Sequence, residues 1–372
     1  MAVTIGTTTV STATRMPFQR LCFYHNGRYW VFYGDGTNFV YRTSTDGAAW
    51  SGTTTLHAGE LSAWCSIVFD GTYVHYAVTT WTATDPIYYR RGTPDADGGI
   101  TWSAAEQTAV AGDVSDRYAD PTIAIDSNGY PFIAYIREYD CYCAKASTND
   151  GTWTLDWDVL IKASGGDFVF SAVVELTSAK MYVVYGEVAG DTKLYGKLYN
   201  AGFGGEEGVS TSDAEAAMGV FSVTSIGDDV HVAFLKDTTS DILYVARAVG
   251  WGAEETVEAG TTVTSSPVIS HHGSTIYVLW AGSPTADHIY YRVRNGAWDS
   301  DVDWLDESGQ GLTRNDSLSC YFSNFGNHLG VIWITTPGSP YNVRHDELPL
   351  LLPASGAQSA FMASKLSAAG VI

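Results

Sequence analysis

Apolar and polar residues alternate along most of the chain in short runs that tight turns separate. Residues 120–153 show the unit: an alternating run over 122–125, a Ser-Asn-Gly turn, a second run over 132–135 that ends in an aromatic residue, a polar loop, and a third run that carries Lys145. Short runs with a period of two, bounded by turn residues, predict antiparallel β-strands. Helical periodicity does not interrupt this pattern.

The unit recurs seven times. An aromatic residue closes the second run of each unit, and a basic residue follows 9 to 14 positions later in the third run. The aromatic residues are Tyr33, Tyr76, Tyr135, Tyr185, Phe234, Trp280 and Trp333, and the basic residues are Arg42, Arg90, Lys145, Lys197, Arg247, Arg292 and Arg344. A period of roughly 40 to 55 residues with three or four strands predicts a β-propeller, because one small sheet cannot bury both of its faces alone.

The repeats span residues 18–57, 62–112, 118–164, 168–214, 219–260, 264–308 and 315–348. The last repeat supplies only three strands, and a Thr-rich β segment at 3–13 precedes the first. We therefore predict an all-β fold, a single seven-bladed β-propeller over residues 18–349, with residues 1–17 completing the last blade. This closure would remove two open sheet edges.

The remaining segment, Leu350–Ile372, is apolar and rich in small residues, with a short helical pattern near 359–366. An apolar segment that follows a closed ring needs another surface to cover it. We expect it to dock on other protein subunits; packing on its own propeller and disorder are the alternatives.

The net charge and the apolar content of the chain indicate which partners and locations to expect. The net charge of −21 repels phosphate backbones and anionic membranes, so we expect no nucleic-acid partner and no membrane insertion. No stretch approaches the ~18 apolar residues of a membrane helix. The first residues lack the basic start and apolar core of a signal peptide, so we expect synthesis in the cytoplasm and a place on a virion or other particle.

The five cysteines lack metal-ligand spacing and are expected to be buried free thiols.

The turns between third and fourth strands carry a recurrent motif. Asp95-Ala-Asp97-Gly-Gly99-Ile-Thr101-Trp102 matches four of the five defined positions of Ser/Thr-x-Asp-x-Gly-x-Thr-Trp, and two further turns are one residue shorter. This motif resembles the Asp-box, or BNR repeat, of the sialidase-like β-propellers. In that motif a carboxylate accepts turn N–H groups, glycine takes a positive φ and tryptophan packs beneath. The motif residues are Asp46, Trp50, Asp97, Gly99, Trp102, Asn149, Gly151 and Trp153.

The resemblance also implies where an enzyme of this family would carry its chemistry. A sialidase holds a carboxylate with arginines, protonates the leaving group with an acid, and attacks with a Tyr–Glu pair. Arg15-Met16-Pro17 looks like the family's first arginine motif, and Asp35 falls near the position of the acid. The other residues implied are Arg117, Arg314, Glu138 and Tyr139. The family's enzymes have six blades, whereas this chain has seven repeats.

Loops that join second to third strands, and fourth strands to the next repeat, should share one face. They collect Trp64, Trp81, Asp113, Asp116, Arg117, Tyr118, Asp120, Arg137, Glu138, Tyr139, Glu187, Arg314 and Asp316. Aromatic rings among polar groups suit a sugar, so Trp64, Trp81, Arg117, Tyr118, Arg137 and Tyr139 are the predicted ligand-binding residues. The alternative is a purely structural face.

Three other groups of residues are candidates for ligand binding: aspartates, histidines and the repeated basic residues. Asp113, Asp116 and Asp120 could hold Ca²⁺, but they lack the spacing of a known calcium loop, so we expect no cofactor and no metal. His75 and His231 are expected in second strands, and His271-His272 in a turn, as ordinary structural histidines. The basic residue of each repeat is interpreted as a structural tie between neighbouring blades, with a ring-shaped anion site as the alternative.

These observations favour a non-enzymatic role. We expect a glycan-binding or structural propeller displayed on a larger assembly, such as a phage virion decoration or receptor-binding protein. The alternatives are a sialidase-like glycoside hydrolase or other polysaccharide-degrading enzyme on the same fold, and a purely structural cap.

Overall fold

The computed structural model describes residues 2–14, 16–59, 64–80, 82, 84–114, 116–188, 190–215, 220–260, 265–312, 318–321, 327–335 and 338–350. These residues form seven antiparallel sheets, five with four strands and two with five. Each sheet is one blade of a ring, and the first strands of neighbouring blades pack against each other at the axis. The protein is an all-β, seven-bladed β-propeller, as the repeat predicted.

The strands follow one another in blade order, apart from β1 (Val3–Thr8), which belongs to blade 7. Blade 1 contains β2 (Cys22–His25), β3 (Arg28–Gly34), β4 (Asn38–Ser44) and β5 (Thr54–Ala58). Blade 2 contains β6 (Cys65–Phe69), β7 (Val74–Val78), β8 (Ile87–Pro94), β9 (Ile100–Trp102) and β10 (Gln107–Val110). Blade 3 contains β11 (Tyr118–Ile125), β12 (Pro131–Arg137), β13 (Asp140–Ala146) and β14 (Leu155–Lys162).

Blade 4 contains β15 (Val169–Glu175), β16 (Met181–Glu187), β17 (Leu194–Tyr199) and β18 (Glu207–Gly208). Blade 5 contains β19 (Phe221–Ile226), β20 (Asp229–Leu235), β21 (Ile242–Arg247) and β22 (Glu255–Glu258). Blade 6 contains β23 (Val268–His272), β24 (Thr275–Ala281), β25 (His288–Asn295), β26 (Ala297–Trp298) and β27 (Val302–Asp306). Blade 7 contains β28 (Ser319–Cys320), β29 (His328–Ile334) and β30 (Tyr341–Pro349), and β1 completes it.

The N-terminal strand closes the ring. β1 runs antiparallel to β30, with Thr8 opposite Tyr341 and Val3 opposite His345. Blade 7 is therefore assembled from both ends of the propeller sequence, in the order β1, β30, β29, β28. The predicted closure by an N-terminal strand is confirmed.

The seven repeated aromatic residues all lie in second strands, and all are fully buried. Second strands are covered on both faces by neighbouring blades, which explains their nearly continuous apolar sequence. Burying a large apolar side chain stabilises the fold by about 1.5–3 kcal/mol relative to leaving it exposed. One such residue per blade therefore supplies a repeated anchor between adjacent sheets.

The seven basic residues all lie in third strands, and five of them bond to the preceding blade. Arg42 donates to the carbonyl of Ile5 (2.6 Å) and Lys197 to that of Ile161 (2.6 Å). Arg247 donates to both carboxylate oxygens of Glu207, at 2.7 and 3.0 Å, Arg292 contacts Glu258 at 3.1 Å, and Arg344 donates to Glu307 at 2.7 Å. Arg90 and Lys145 bond within their own blades, to the carbonyl of Ala104 and to Asp156. This arrangement supports the structural interpretation of these residues.

The structure also places the cysteines and the histidines. All five cysteines are buried free thiols. His75 and His231 lie in second strands as predicted, but His271 and His272 end strand β23 and do not form a turn. Within the described part of the chain, no helix is long and apolar enough to cross a membrane.

Loss of one inter-blade tie should destabilise the propeller. Arg247→Met removes both hydrogen bonds from the guanidinium to Glu207, whose side chain is only 31% exposed, so the carboxylate keeps the bond from the Tyr182 hydroxyl but loses its cationic partner. We expect the free energy of unfolding to fall by about 1–3 kcal/mol, measured by chemical denaturation. Lys193→Met is the matched control, because the Lys193–Asp213 pair is more exposed, and it should change stability by less than about 1 kcal/mol. Equal effects of the two variants would contradict a special role for the inter-blade tie.

The contact between blades 7 and 1 should make the free energy of unfolding decrease at acid pH. His345 is buried beside Trp50 and Tyr29, and burial lowers its pKa to about 4. The unfolded chain has a histidine pKa of about 6.5 and takes up the proton first, so stability decreases as the pH falls from about 6.5 towards 4. Burial acts to raise the pKa of Glu347, but hydrogen bonds from His328 and Tyr29 outweigh it and leave that pKa below its usual value. Its contribution is therefore present above about pH 4.3 and is lost at lower pH.

The measurement is the free energy of unfolding at pH 7 and pH 4.5 for wild type and for His345→Phe, which keeps an aromatic ring but cannot titrate. The variant should lose about 2 kcal/mol less than wild type over this interval. Parallel losses in the two proteins would show that His345 does not contribute to acid sensitivity.

Candidate functional site

The loops that join second to third strands meet the segments that connect one blade to the next. The amide of Thr84 donates to the carbonyl of Asp113 (3.0 Å), and that of Glu138 to the carbonyl of Arg117 (2.8 Å). Blades 4 and 6 have equivalent bonds, from Val188 to Phe168 and from Glu307 to Asp287. These connections therefore share one side of the ring, which we call the loop face; the other connections form the turn face.

The chain itself occupies the axis on the loop face. The segment 16–21 leads into β2 and crosses the centre of the ring, where Gln19 donates to the carbonyl of Pro121 (3.3 Å) and Arg20 to that of Val223 (2.7 Å). Phe18 packs between Phe170 and Phe221, with ring centroids 6.1 and 5.3 Å away. All these groups are buried. The axial position therefore holds protein, and a ligand on this face would lie to one side of it.

A ring of hydroxyl groups surrounds that segment, a feature that our sequence analysis missed. The first strands of blades 2 to 7 each carry a buried hydroxyl residue, namely Ser66, Thr122, Ser171, Ser222, Ser270 and Ser319. Several bond across blades or to the central segment, as when Ser222 donates to the carbonyl of Pro17 (3.0 Å) and Ser319 to that of Gln19 (3.1 Å). One hydroxyl residue in each first strand is a periodic signal that an alignment of the repeats would reveal.

An arginine and two aspartates meet on the loop face of blade 3. Arg137 ends strand β12 and donates from Nε to the carboxylate of Asp116 at 2.5 Å, while its Nη2 lies 3.7 Å from Asp113. The guanidinium also lies 5.4 Å from the ring of Tyr142. The aspartates come from the linker after blade 2, so these contacts join two blades. Asp113 and Asp116 are therefore ion-pair partners of the Arg137 guanidinium.

Arg117 and Glu138 are held together beside this cluster. The backbone amide of Arg117 donates to Glu138 Oε1 at 2.7 Å, which adds to the backbone bond in the other direction. Glu138 has a φ of 55°, a left-handed conformation that costs a residue with a side chain about 1–2 kcal/mol. Backbone strain of this kind is often retained at functional sites.

Tyr139 is the next residue, and its side chain is 45% exposed. Its ring packs on Phe168 at 5.2 Å, and its carbonyl accepts a hydrogen bond from the amide of Val169 (2.9 Å). Phe168 in turn contacts Phe170, which contacts Phe18 at the axis. A row of four aromatic rings therefore runs from the surface of blade 3 to the central segment, and Tyr139 is its exposed end.

A narrow cleft adjoins this row between blades 4 and 5. It is lined by Phe170, Glu187, Thr192, Val220 and Phe221, and its volume is about 10 Å³. That is close to the space of a single water molecule. This cleft is therefore too small to hold a sugar residue.

The other predicted residues take varied positions. Trp64 is half-buried against the apolar core that the central segment shares with blades 3 to 5, and Tyr118 is buried and donates to the carbonyl of Ala111 (3.1 Å). Asp35 caps its own hairpin, because Oδ1 accepts the amides of Thr37 and Asn38, both at 2.8 Å. Arg15, Trp81, Arg314 and Asp316 lie outside the described residues.

The three turns predicted to resemble Asp-boxes lie on the turn face. Asp46 accepts the amides of Ala48 and Ala49 at 2.8 Å, and Asp97 accepts the amide of Gly99 at 2.9 Å. Trp50 and Trp102 are half-buried beneath their turns, and Trp153 is buried.

The third Asp-box turn differs from its motif assignment. Its carboxylate acceptor is Asp150, which accepts the amide of Thr152 at 2.9 Å. The motif residue Asn149 donates instead to the carbonyl of Asn128 at 2.9 Å. The turns of blades 2 and 3 are also tied to the preceding blade, since Arg28 donates to the carbonyl of Ala96 (2.9 Å) and Arg91 to that of Asn149 (2.7 Å).

The acidic side chains of the loop face do not form a group of metal ligands in the described part of the chain. Within the residues that the structure describes, no three His, Cys, Asp or Glu side chains are grouped as a metal site. Asp113 and Asp116 face Arg137, and Asp120 is buried with a φ of 45°. The three aspartates considered as calcium ligands therefore lie in different local environments.

Comparison with known proteins identifies the class of fold. No protein-family model matches the sequence, and no curated protein is significantly similar to it. A polysaccharide lyase, the PL25 ulvan lyase bound to -[GlcA(1-4)Rha3S]-, has a TM-score of 0.58 at 10% identity, over 92% of this chain and 94% of that one. A protein of unknown function from Dyadobacter fermentans has a TM-score of 0.50 at 9% identity, over 94% and 99%. AofleA from Arthrobotrys oligospora has a TM-score of 0.50 at 13% identity, over 78% and 90%.

At these identities the similarity shows the fold alone. The propeller architecture that the resemblance to sialidase-like proteins implied is confirmed. The particular role of this chain has to be argued from its own surface.

Proposed function

We propose that this protein is a non-enzymatic carbohydrate-binding propeller, and that its ligand lies on the loop face of blades 3 and 4. The observation that carries the proposal is Tyr139. Among the described residues it is the one exposed aromatic side chain, at 45%, and it lies next to Glu138 and Arg137 in the chain and close to Arg117.

The chemistry of this surface suits a sugar. The C–H face of a pyranose stacks on an aromatic ring, and its hydroxyl groups bond to charged and amide groups nearby. Phe168 and the backbone bond to Val169 hold Tyr139 in place, so little conformational entropy would be lost on binding. The side chains of Arg137 and Asp113 are 31% and 42% exposed, which leaves them accessible to hydroxyl groups at the edge of such a ring.

The fold comparison supports the same ligand class. The ulvan lyase, which aligns over most of this chain, is a polysaccharide lyase with a bound saccharide. A propeller of this shape can therefore present a carbohydrate surface. The similarity does not carry over any individual residue, because only 10% of the aligned residues are identical.

Two features favour binding over catalysis. The central segment 16–21 fills the axis on the loop face, where loops from all blades could otherwise converge on a substrate. The candidate acids are already engaged, since Asp35 caps its hairpin and Glu138 accepts the amide of Arg117. The second candidate function is a polysaccharide-degrading enzyme, which the extent of the structural match to the lyase favours.

We further propose that the protein is part of a larger assembly, such as a phage virion decoration or receptor-binding protein. The acidic composition and the apolar segment 350–372 motivate this part of the proposal. Leu350 is buried in the core shared by blades 6 and 7, so a chain that keeps Leu350 retains the closing blade. Residues 351–372 are then the segment available to hold a partner subunit.

Tyr139→Ala should abolish most carbohydrate binding at the loop face without affecting the fold. Removal of the exposed ring takes away the stacking contact, and we expect binding on a glycan array to fall about tenfold or more. Leu160→Ala is the matched control, because Leu160 is 47% exposed in the same blade but lies on the outer strand β14. Unchanged binding by Tyr139→Ala, or equal loss in both variants, would contradict the proposed site.

Turnover assays separate the two candidate functions. The wild-type protein should leave a fluorogenic sialoside and a uronic-acid polysaccharide uncleaved while it binds a glycan. Cleavage of either substrate, lost in Asp35→Asn or Glu138→Gln, would establish the enzymatic alternative.

Removal of residues 351–372 should abolish self-association or partner binding and leave glycan binding intact. Size-exclusion chromatography with light scattering on the full chain and on a chain that ends at Leu350 measures this. Identical molar masses, together with identical retention on particle components, would remove the support for a docking segment.

A further inference from the structure

The turn face carries a groove between blades 3 and 4 that the proposed function does not use. It lies among the first turn of blade 3, at Asn128, and two turns of blade 4, at Ser178 and Asn200. Its volume is about 270 Å³, far larger than that of the cleft on the loop face. The groove is open to solvent and lies on the opposite side of the ring from Tyr139.

Two tyrosines line the groove. Tyr199 is fixed in a cluster of aromatic rings, with Phe132, Trp157 and Phe203 at centroid distances of 5.2, 5.3 and 5.3 Å. Tyr130 lies under the ammonium group of Lys145, which is 4.8 Å from the ring centroid. The rings are thus held by contacts from two blades before any ligand arrives. A preformed aromatic wall favours a ligand that presents a flat C–H surface.

Hydrogen-bonding groups surround these rings. Asn128 and Asn200 are exposed turn residues, and in the described structure their side-chain amides bond to no other group. Each amide offers two donors and one acceptor oxygen. Lys145 donates to Asp156 at 2.7 Å, and its ammonium group has further donors. This set of donors and acceptors matches the hydroxyl groups of a sugar.

The turn at Ser178 and Ala179 is strained, and its neighbours hold it. Both residues have a φ of 59°, in the region that favours glycine. The amide of Ala179 donates to Ser127 Oγ at 2.8 Å across the blade boundary, and Thr177 donates to Asp228 Oδ1 from its amide (2.9 Å) and its hydroxyl (2.5 Å). Ala201, on the second turn, also has a positive φ of 56°. Three non-glycine residues in this conformation line one groove, a pattern found at ligand sites.

From these features we infer that the groove is a second saccharide site, which binds one pyranose residue of a neutral sugar. Tyr130 and Tyr199 provide the stacking surface, and Asn128, Asn200 and Lys145 bond to hydroxyl groups. Asp156 offsets the charge of Lys145, and Asp126 uses Oδ1 to accept the amides of Asn128 and Tyr130, both at 2.9 Å. The groove therefore has no surplus cation, and the net charge of −21 repels an acidic sugar.

The test uses saturation-transfer NMR on the full chain with the methyl glycosides of glucose, galactose, mannose and fucose, and with methyl glucuronide as the acidic probe. At least one neutral glycoside should bind, and more tightly than the glucuronide. The double variant Asn128→Ala, Asn200→Ala should raise its Kd about tenfold, because it removes the side-chain amide contacts at two exposed positions and leaves in place the backbone carbonyl to which Asn149 donates. Tyr139→Ala should leave this Kd within about twofold of wild type.

Each other outcome contradicts the inference. Absence of any neutral glycoside signal, an unchanged Kd in the double variant, or a preference for the glucuronide would overturn it, provided that thermal unfolding shows the variants to be folded. Loss of binding in Tyr139→Ala would assign the signal to the loop face. The two proposals can also fail separately. If the NMR experiment detects binding in the groove but Tyr139→Ala does not change binding on the glycan array, the second site is supported and the proposed function is contradicted.

Discussion

The pairing of β1 with β30 is the interaction on which the whole ring depends. A four-stranded sheet of this composition has two apolar faces, and each face is covered only when a blade stands on either side of it. Without β1, blade 7 has three strands and exposes the row of N–H and C=O groups along β30. Because strands from both ends of the propeller form one sheet, the seven blades stabilise each other as a closed unit.

The seams between blades combine apolar burial with directed bonds. The buried aromatic residue of each second strand supplies apolar contact, and the basic residue of the third strand in most blades bonds to the preceding blade. Glu307 contacts both the aromatic and the basic residue of the next blade. Its side chain is only 3% exposed, and it accepts hydrogen bonds from Trp333 and Arg344. The apolar part of the seam has no direction, whereas the charged part fixes the angle between blades. Loops at either end are thereby held on a rigid frame.

That frame allows strained and charged groups to persist at both faces. On the loop face, Glu138 adopts a left-handed backbone and Arg137 is held between two aspartates from another blade. On the turn face, Ser178 and Ala179 are kept in the same region by Ser127 and Asp228 of neighbouring blades. On the turn face the bonds that compensate the strain cross blade boundaries, and on the loop face Arg137 is held by the linker that follows blade 2, so both sites depend on the assembled ring.

Much of the architecture was legible in the sequence because it repeats. Strand alternation, the aromatic residues from Tyr33 to Trp333, and the three-strand last repeat together determined seven blades and an N-terminal closing strand. Each is a local pattern, since side chains in a strand alternate between faces whatever lies around them. The Asp-box turns are local as well, although the third one shows that a motif cannot tell Asn149 from its neighbour Asp150 as the acceptor.

The site depended on tertiary structure for a different reason. Whether Tyr139 is exposed, whether Asp35 is occupied by its own hairpin, and which carboxylates surround Arg137 are decided by groups from other blades or by the exact course of a loop. The groove is lined by Tyr130 and Tyr199, which lie 69 positions apart in the chain. The central segment, residues 16–21, contacts several blades at once. Strand periodicity reports which face of its own sheet a residue occupies, but the distance between two sheets is set only when the ring closes.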